Sequence, residues 1–191
     1  METLILASAS PRRSELLSHA GIPFEVHAAE ADERCDSPAS EAVKILSVRK
    51  AKAVRSLFPS RFILAADTLV ELDGAVLGKP AGPEEAAAML RRLSGCVHQV
   101  YTGVTVINPA GEVFTDGDRS DVAFGDIPED EIAAYVRSGE PLDKAGAYAI
   151  QGRASLWISH MEGSYSSVIG LPLFLVRSLL LRAGYSLTSD L

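Results

Sequence analysis

Apolar positions along this chain alternate between unbroken short runs and helical spacing, and each switch marks an element. Residues 4–6, "LIL", are a short continuous run that predicts a strand. From Pro11 to His19 the apolar residues take helical spacing, with Ser10 as the predicted N-cap, Pro11 in the first turn, and Gly21 and Pro23 as stop signals. "EVHAAEADERCD" (25–36) has no period and predicts a strand running into a polar loop that carries Asp32 and Glu33. Residues 40–57 have helical spacing behind a capping Ser40 and predict the longest helix. "FILAADTLVEL" (62–72) is an apolar run interrupted by one acid and one hydroxyl, the pattern of a buried strand, and "DGAVLGKP" predicts a hairpin return. Residues 83–93 predict a helix with acids first and arginines last, closed by Gly95. Residues 98–124 predict a strand, a Pro-Ala-Gly turn, a second strand and a further strand, and 128–139 another helix. Residues 145–173 mix predicted short strands with glycine turns, and a last helix runs to about Arg182. This alternation implies an α/β fold around a mixed sheet, and the absence of repeats or linkers implies one domain over residues 1–191.

Composition narrows the function. A chain of 191 residues with 47% hydrophobic and 23% charged residues has enough core to fold as an ordinary globular protein. Its formal charge of −7 argues against binding nucleic-acid polymers, so an anion site must be a local basic cluster suited to a small molecule. Cys35 and Cys96 lie far apart without metal-ligand spacing, which predicts free thiols in a reducing compartment. With neither a secretory pattern nor a run of membrane-spanning length, the expected location is the cytoplasm, away from membranes.

Two places invite chemistry. In "LILASASPRRSELL" (4–17) a strand delivers small hydroxyl residues to a helix start flanked by Arg12 and Arg13. Arginine is the wrong charge for the positive end of a helix dipole, so the pair predicts a bound anion, phosphate first. Asp67 lies within a strand too apolar to hold an idle carboxylate, and could bind a divalent ion, deprotonate a water, or both. Asp32 and Glu33 offer further oxygen ligands, and Mg²⁺ needs only one or two carboxylates beside substrate phosphates. Lys79 in "GKP" is a candidate phosphate contact, while pattern alone does not choose among Arg49, Lys50 and Lys52, and Lys144 is equally ambiguous. Gly163, Ser164 and Tyr165 read as a strand-to-helix connection. There is no P-loop, no hydrolase elbow and no paired histidine.

Together "LILASASPRRSELL", "AADTLV", "GKP", "DKAGAYAIQG" and "GSYSSVIGLPL" resemble the Maf family of nucleoside triphosphate pyrophosphatases, in order and over nearly the whole chain. The resemblance implies a fold related to the inosine triphosphate pyrophosphatases: an elongated mixed sheet with flanking helices and two lobes around a deep cleft. It also implies hydrolysis of a nucleoside triphosphate to the monophosphate and pyrophosphate, a divalent cation (Mg²⁺ or Mn²⁺), and a homodimer. Residue by residue, it makes Asp67 the general base, puts Ser8, Arg13 and Lys79 on the phosphates, and gives Glu33 and Asp67 to the metal. "LSVRKA" matches a family pattern that selects Lys50, with Ser47 where alanine is usual. Arg12, Thr68 and Gln151 match the dTTP/UTP branch, where the 7-methyl-GTP branch has Trp, Gln and Glu. The alternatives are a 7-methyl-GTP or CTP pyrophosphatase, or a nucleotide-binding regulator of septum formation. A pure binder has no need of the Asp67 carboxylate.

Overall fold

The structure is a computed structural model, and it describes residues 1–188. In chain order the elements are β1 (Leu4–Leu6), α1 (Pro11–His19), β2 (Phe24–Val26), α2 (Ala39–Arg55), β3 (Ile63–Leu72), β4 (Ala75–Leu77), α3 (Pro83–Leu93), β5 (Val97–Ile107), β6 (Val113–Phe124), α4 (Glu129–Arg137), β7 (Ile158–Glu162), α5 (Tyr165–Ile169) and α6 (Leu173–Arg182). The seven strands form a mixed sheet in the order β2-β1-β3-β5-β6-β7, with β4 paired to β3. β1 runs parallel to β2 and β3, while β4 and β7 run antiparallel to β3 and β6. This is the expected α/β architecture.

The chain divides into two compact units, the first made of residues 1–67, 102–118 and 170–191, the second of 68–101 and 119–169. In the first, β1 and residues 63–66 of β3 are unbroken apolar runs because both faces are covered. Leu4, Leu6, Leu64 and Ala66 face a core with Val176, Leu179 and Leu180 of α6. Ile5, Ala7, Ile63 and Ala65 face the other way, against Ala51 and Val54 of α2. Period-two alternation therefore turns Asp67, two residues beyond Ala65, toward the α2 side. α2 lies so close to β5 that a Cβ built on Gly103 would come within 2.2 Å of the Val43 carbonyl oxygen.

The second unit has an aromatic core: Phe124 meets His98, Tyr148 and Trp157 edge to face, and Trp157 meets Tyr135 in the same way. The β3–β4 hairpin turns on Asp73 and Gly74, both at positive φ (51° and 77°), as a two-residue Asp-Gly loop requires.

Four sequence expectations are corrected. Ser10 is the N-cap of α1, but its side chain makes no capping bond; its backbone N–H donates to Ser8 Oγ instead (3.2 Å). α2 starts one residue before Ser40 and is capped by Pro38. Residues 113–124 form one strand, because Gly117 is accommodated against the Lys44 stem without breaking the run. In place of the short strands expected from residue 145, residues 145–147 and 153–157 form 3₁₀ turns, and Gly146 and Ala147 in the first adopt left-handed backbone (φ 67° and 57°). Cys35 and Cys96 are free, and no helix among the described residues is long and apolar enough to cross a membrane.

Candidate active site

The first unit holds six of the candidate residues, Ser8, Arg12, Arg13, Glu33, Lys50 and Asp67. Beyond the end of β1, Ser8 Oγ accepts a hydrogen bond from Arg13 Nη1 (3.0 Å), and Arg13 Nε donates to the Gly170 carbonyl (2.8 Å). Arg13 is thus fixed at both edges of its guanidinium, in the first turn of α1. Burial pulls its pKa below the ordinary arginine value, and Arg12 adds to that, while Asp67 and Glu33 act in the opposite direction. An arginine remains charged under such a shift, so a desolvated cation stands where the helix start opens. Arg12, half-buried, precedes it on the same turn.

Asp67 is only 7% exposed. Its Oδ1 accepts from Lys50 Nζ at 2.5 Å, and the same ammonium is 2.8 Å from Glu33 Oε1. The helical register of α2 explains the choice: Ala51 and Val54 pack on the β3 face from which Asp67 projects, and Lys50 is the neighbouring cation on that side. Lys52, by contrast, is exposed. A buried carboxylate is thereby paired, which removes the main cost of placing it in this strand. Ser47 also finds a purpose, since its hydroxyl bonds Thr105 Oγ1 (2.8 Å) and the Lys44 carbonyl (2.9 Å).

Glu33 and Asp32 part company here. Asp32 Oδ1 accepts the Arg34 N–H (3.0 Å) and shapes the loop, while Glu33 faces Lys50. Arg49 holds that loop by donating to the carbonyls of Arg34 (2.7 Å) and Asp32 (3.3 Å). Neither this role of Arg49 nor the Gly170 anchor left a signal in the pattern of residues. Among the described residues no group of three or more histidine, cysteine, aspartate and glutamate side chains could hold a metal. The Glu33 and Asp67 oxygens nonetheless converge on one cation, the Lys50 ammonium, and two carboxylates beside phosphate oxygens suit Mg²⁺. The donor set fits a hard divalent ion.

Thr68, Lys79 and Gln151 belong to the second unit. Thr68 follows Asp67 on β3 and is half-buried, and Lys79 is exposed after β4. The Gly78 carbonyl beside Lys79 accepts from Gly146 N–H (3.1 Å), so "DKAGAY" braces the lysine's loop. Gln151 is exposed on a turn closed by Gly152 N–H to the Ala149 carbonyl (3.0 Å). Lys144 is structural, donating to the Glu140 carbonyl (2.6 Å) and to Asp143 (2.5 Å).

Comparison with known proteins bears on this arrangement. The chain matches the Maf family, described as "Maf-like protein", over residues 3–183. It is 49% identical over 188 residues to the dTTP/UTP pyrophosphatase of Symbiobacterium thermophilum, covering 97% of this chain and 96% of that protein. It is 48% identical over 176 residues to the dTTP/UTP pyrophosphatase of a Geobacillus species, covering 91% and 94%. In fold it is similar to a HAM1 protein from Coxiella burnetii, with a TM-score of 0.51 over 95% of this chain and 100% of that one at 14% identity. With a match spanning almost every residue and relatives near half identity over nearly their whole length, the chain belongs to the Maf family.

Proposed function

We propose that this protein hydrolyses dTTP and UTP to the nucleoside monophosphate and pyrophosphate, the activity for which its relatives are named. The observation that carries the reading is a buried Asp67 carboxylate paired with Lys50 within a site that also presents Arg13. Asp67 takes a proton from a water whose oxygen attacks the α-phosphorus; the bond from that phosphorus to the bridging oxygen breaks, and its electron pair leaves on pyrophosphate. Arg13, Lys50 and Lys79 offset the charge that grows on the leaving group, which matters most because phosphoryl transfer is largely loose. Ser8 orients Arg13 through its hydrogen bond. Glu33 and Asp67 are the residues that would hold Mg²⁺ or Mn²⁺, which polarises phosphate oxygens and activates water when bound.

Arg12, Thr68 and Gln151 are assigned to the base. A neutral amide at Gln151 accepts from N3–H and donates to O4 of uracil or thymine. A 7-methylguanine ring is cationic, and Arg12 repels it. Cytoplasmic residence and a homodimer belong to the same proposal. A panel of nucleoside triphosphates scored for released pyrophosphate tests it: kcat/KM for UTP and dTTP should exceed that for 7-methyl-GTP and CTP. Preference for either of the latter two contradicts the base assignment.

A further inference from the structure

Gln151 occupies the third position of the four-residue turn Ala149–Gly152 and is exposed. A side chain at an exposed turn can discriminate between bases only if the backbone beneath it is fixed. One end of this turn is hydrogen-bonded and the other is packed closely against a carboxylate. At the first residue, the Ala149 N–H donates to Tyr135 Oη at 3.3 Å. At the last, the Glu140 carboxylate lies so near Gly152 that a Cβ there would stand 1.8 Å from Glu140 Oε1. The two contacts form one device, because Tyr135 Oη donates to that same Glu140 Oε1 at 2.9 Å.

The device is itself anchored. Tyr135 is buried in α4 and packs edge-on to Trp157 (5.1 Å, 87°), whose indole N–H donates to Glu131 (2.6 Å). The Glu140 backbone is held by Lys144 Nζ at its carbonyl (2.6 Å) and by Ser138 Oγ at its N–H (3.2 Å). Burial, and after it Glu140, push the Tyr135 phenol well above its ordinary pKa, so it stays a donor. A carboxylate accepting from the phenol also polarises it, which makes Oη a better acceptor for the Ala149 N–H.

We propose that Glu140 and Tyr135 are positioning residues for base selection, acting through the Ala149–Gly152 turn on Gln151. The proposal rests on the reading of Gln151 as a base-contacting residue. Neither residue is required to touch the nucleotide, so the device should govern discrimination and substrate affinity and leave the hydrolytic step alone.

Gly152→Ala is the sharpest probe. Gly152 has φ −101°, which alanine adopts without strain, so the added methyl acts chiefly by displacing the Glu140 carboxylate from Tyr135. For Gly152→Ala and for Tyr135→Phe, the expected result is a fall of about tenfold in the ratio of kcat/KM for UTP to that for 7-methyl-GTP. It should come from a raised KM for UTP, with kcat within about twofold of the parent. Glu140→Gln keeps an acceptor for the phenol and should retain most of the ratio, whereas Glu140→Ala should lose it. In a Gln151→Ala background, adding Tyr135→Phe should change the ratio by less than about twofold, since the route to the base is already cut. If Gln151→Ala collapses the ratio while Gly152→Ala and Tyr135→Phe leave it intact, the positioning role is overturned and the base reading survives. If Gln151→Ala itself leaves the ratio unchanged, the base reading falls, and this proposal falls with it. An effect of Gly152→Ala that persists undiminished in the Glu140→Ala background also overturns the proposal, because the methyl is then not acting through Glu140.

Discussion

Asp67 is legible as a candidate from its sequence context alone, because an acid in "FILAADTLV" is costly without a partner. Its partner is not. Arg49, Lys50 and Lys52 crowd one stretch of helix, and only the packing of Ala51 and Val54 on β3 makes Lys50 the residue that reaches both Asp67 and Glu33. Asp32 and Glu33 were likewise indistinguishable until one was seen bonding its own loop and the other facing the lysine. The pairing makes a definite prediction for Asp67→Asn, which keeps the shape and removes the base. Turnover of UTP should drop by roughly 10²–10⁴-fold, with binding retained through Arg13 and Lys79. Steady-state kinetics with a direct measurement of nucleotide affinity checks it, and near-normal kcat removes Asp67 from its role.

At the scale of elements, most of the fold was visible in the chain's periodicity. β3, α3 and the Asp-Gly hairpin follow from local pattern and turn chemistry, and α6 ends at Arg182, where its apolar run stops. Residues 145–157 did not, because two short 3₁₀ turns, the first carrying left-handed Gly146 and Ala147, have no hydrophobic period to recognise. Close approach of two backbones is equally silent, since one glycine in a strand resembles another. Gly103 is such a case: it lets α2 settle on β5, and the Ser47–Thr105 hydrogen bond follows from the short spacing. Alanine there meets a carbonyl oxygen rather than a flexible side-chain tip, so the helix itself must move. Gly103→Ala should therefore lower stability by about 2 kcal/mol or more, read as a shift in urea midpoint. A midpoint equal to the parent's would mean that α2 is not seated as described.

Stability of the whole molecule should depend on pH through His98. It is fully buried, bonded to Tyr148 Oη (2.8 Å), and its pKa is pushed down to about 4 by burial, with Asp121 opposing. The folded protein thus holds the ring neutral, while the unfolded chain protonates it near the ordinary 6.5. The unfolded state binds more protons between those values, so this contribution is complete above about pH 6.5 and is lost as pH falls toward 4. His98→Leu should flatten the unfolding free energy across that window by up to about 1.4 kcal/mol per pH unit, and an unchanged slope would exclude His98 as its source. Function at this scale rests on where water attacks. Asp67, Lys50 and Arg13 are read as serving displacement at the α-phosphorus, with pyrophosphate leaving intact. Hydrolysis of UTP in ¹⁸O-water, followed by mass analysis of both products, measures this directly. One labelled oxygen is expected in UMP and none in pyrophosphate; label in pyrophosphate, or orthophosphate as the first product, would rule out attack at the α-phosphorus.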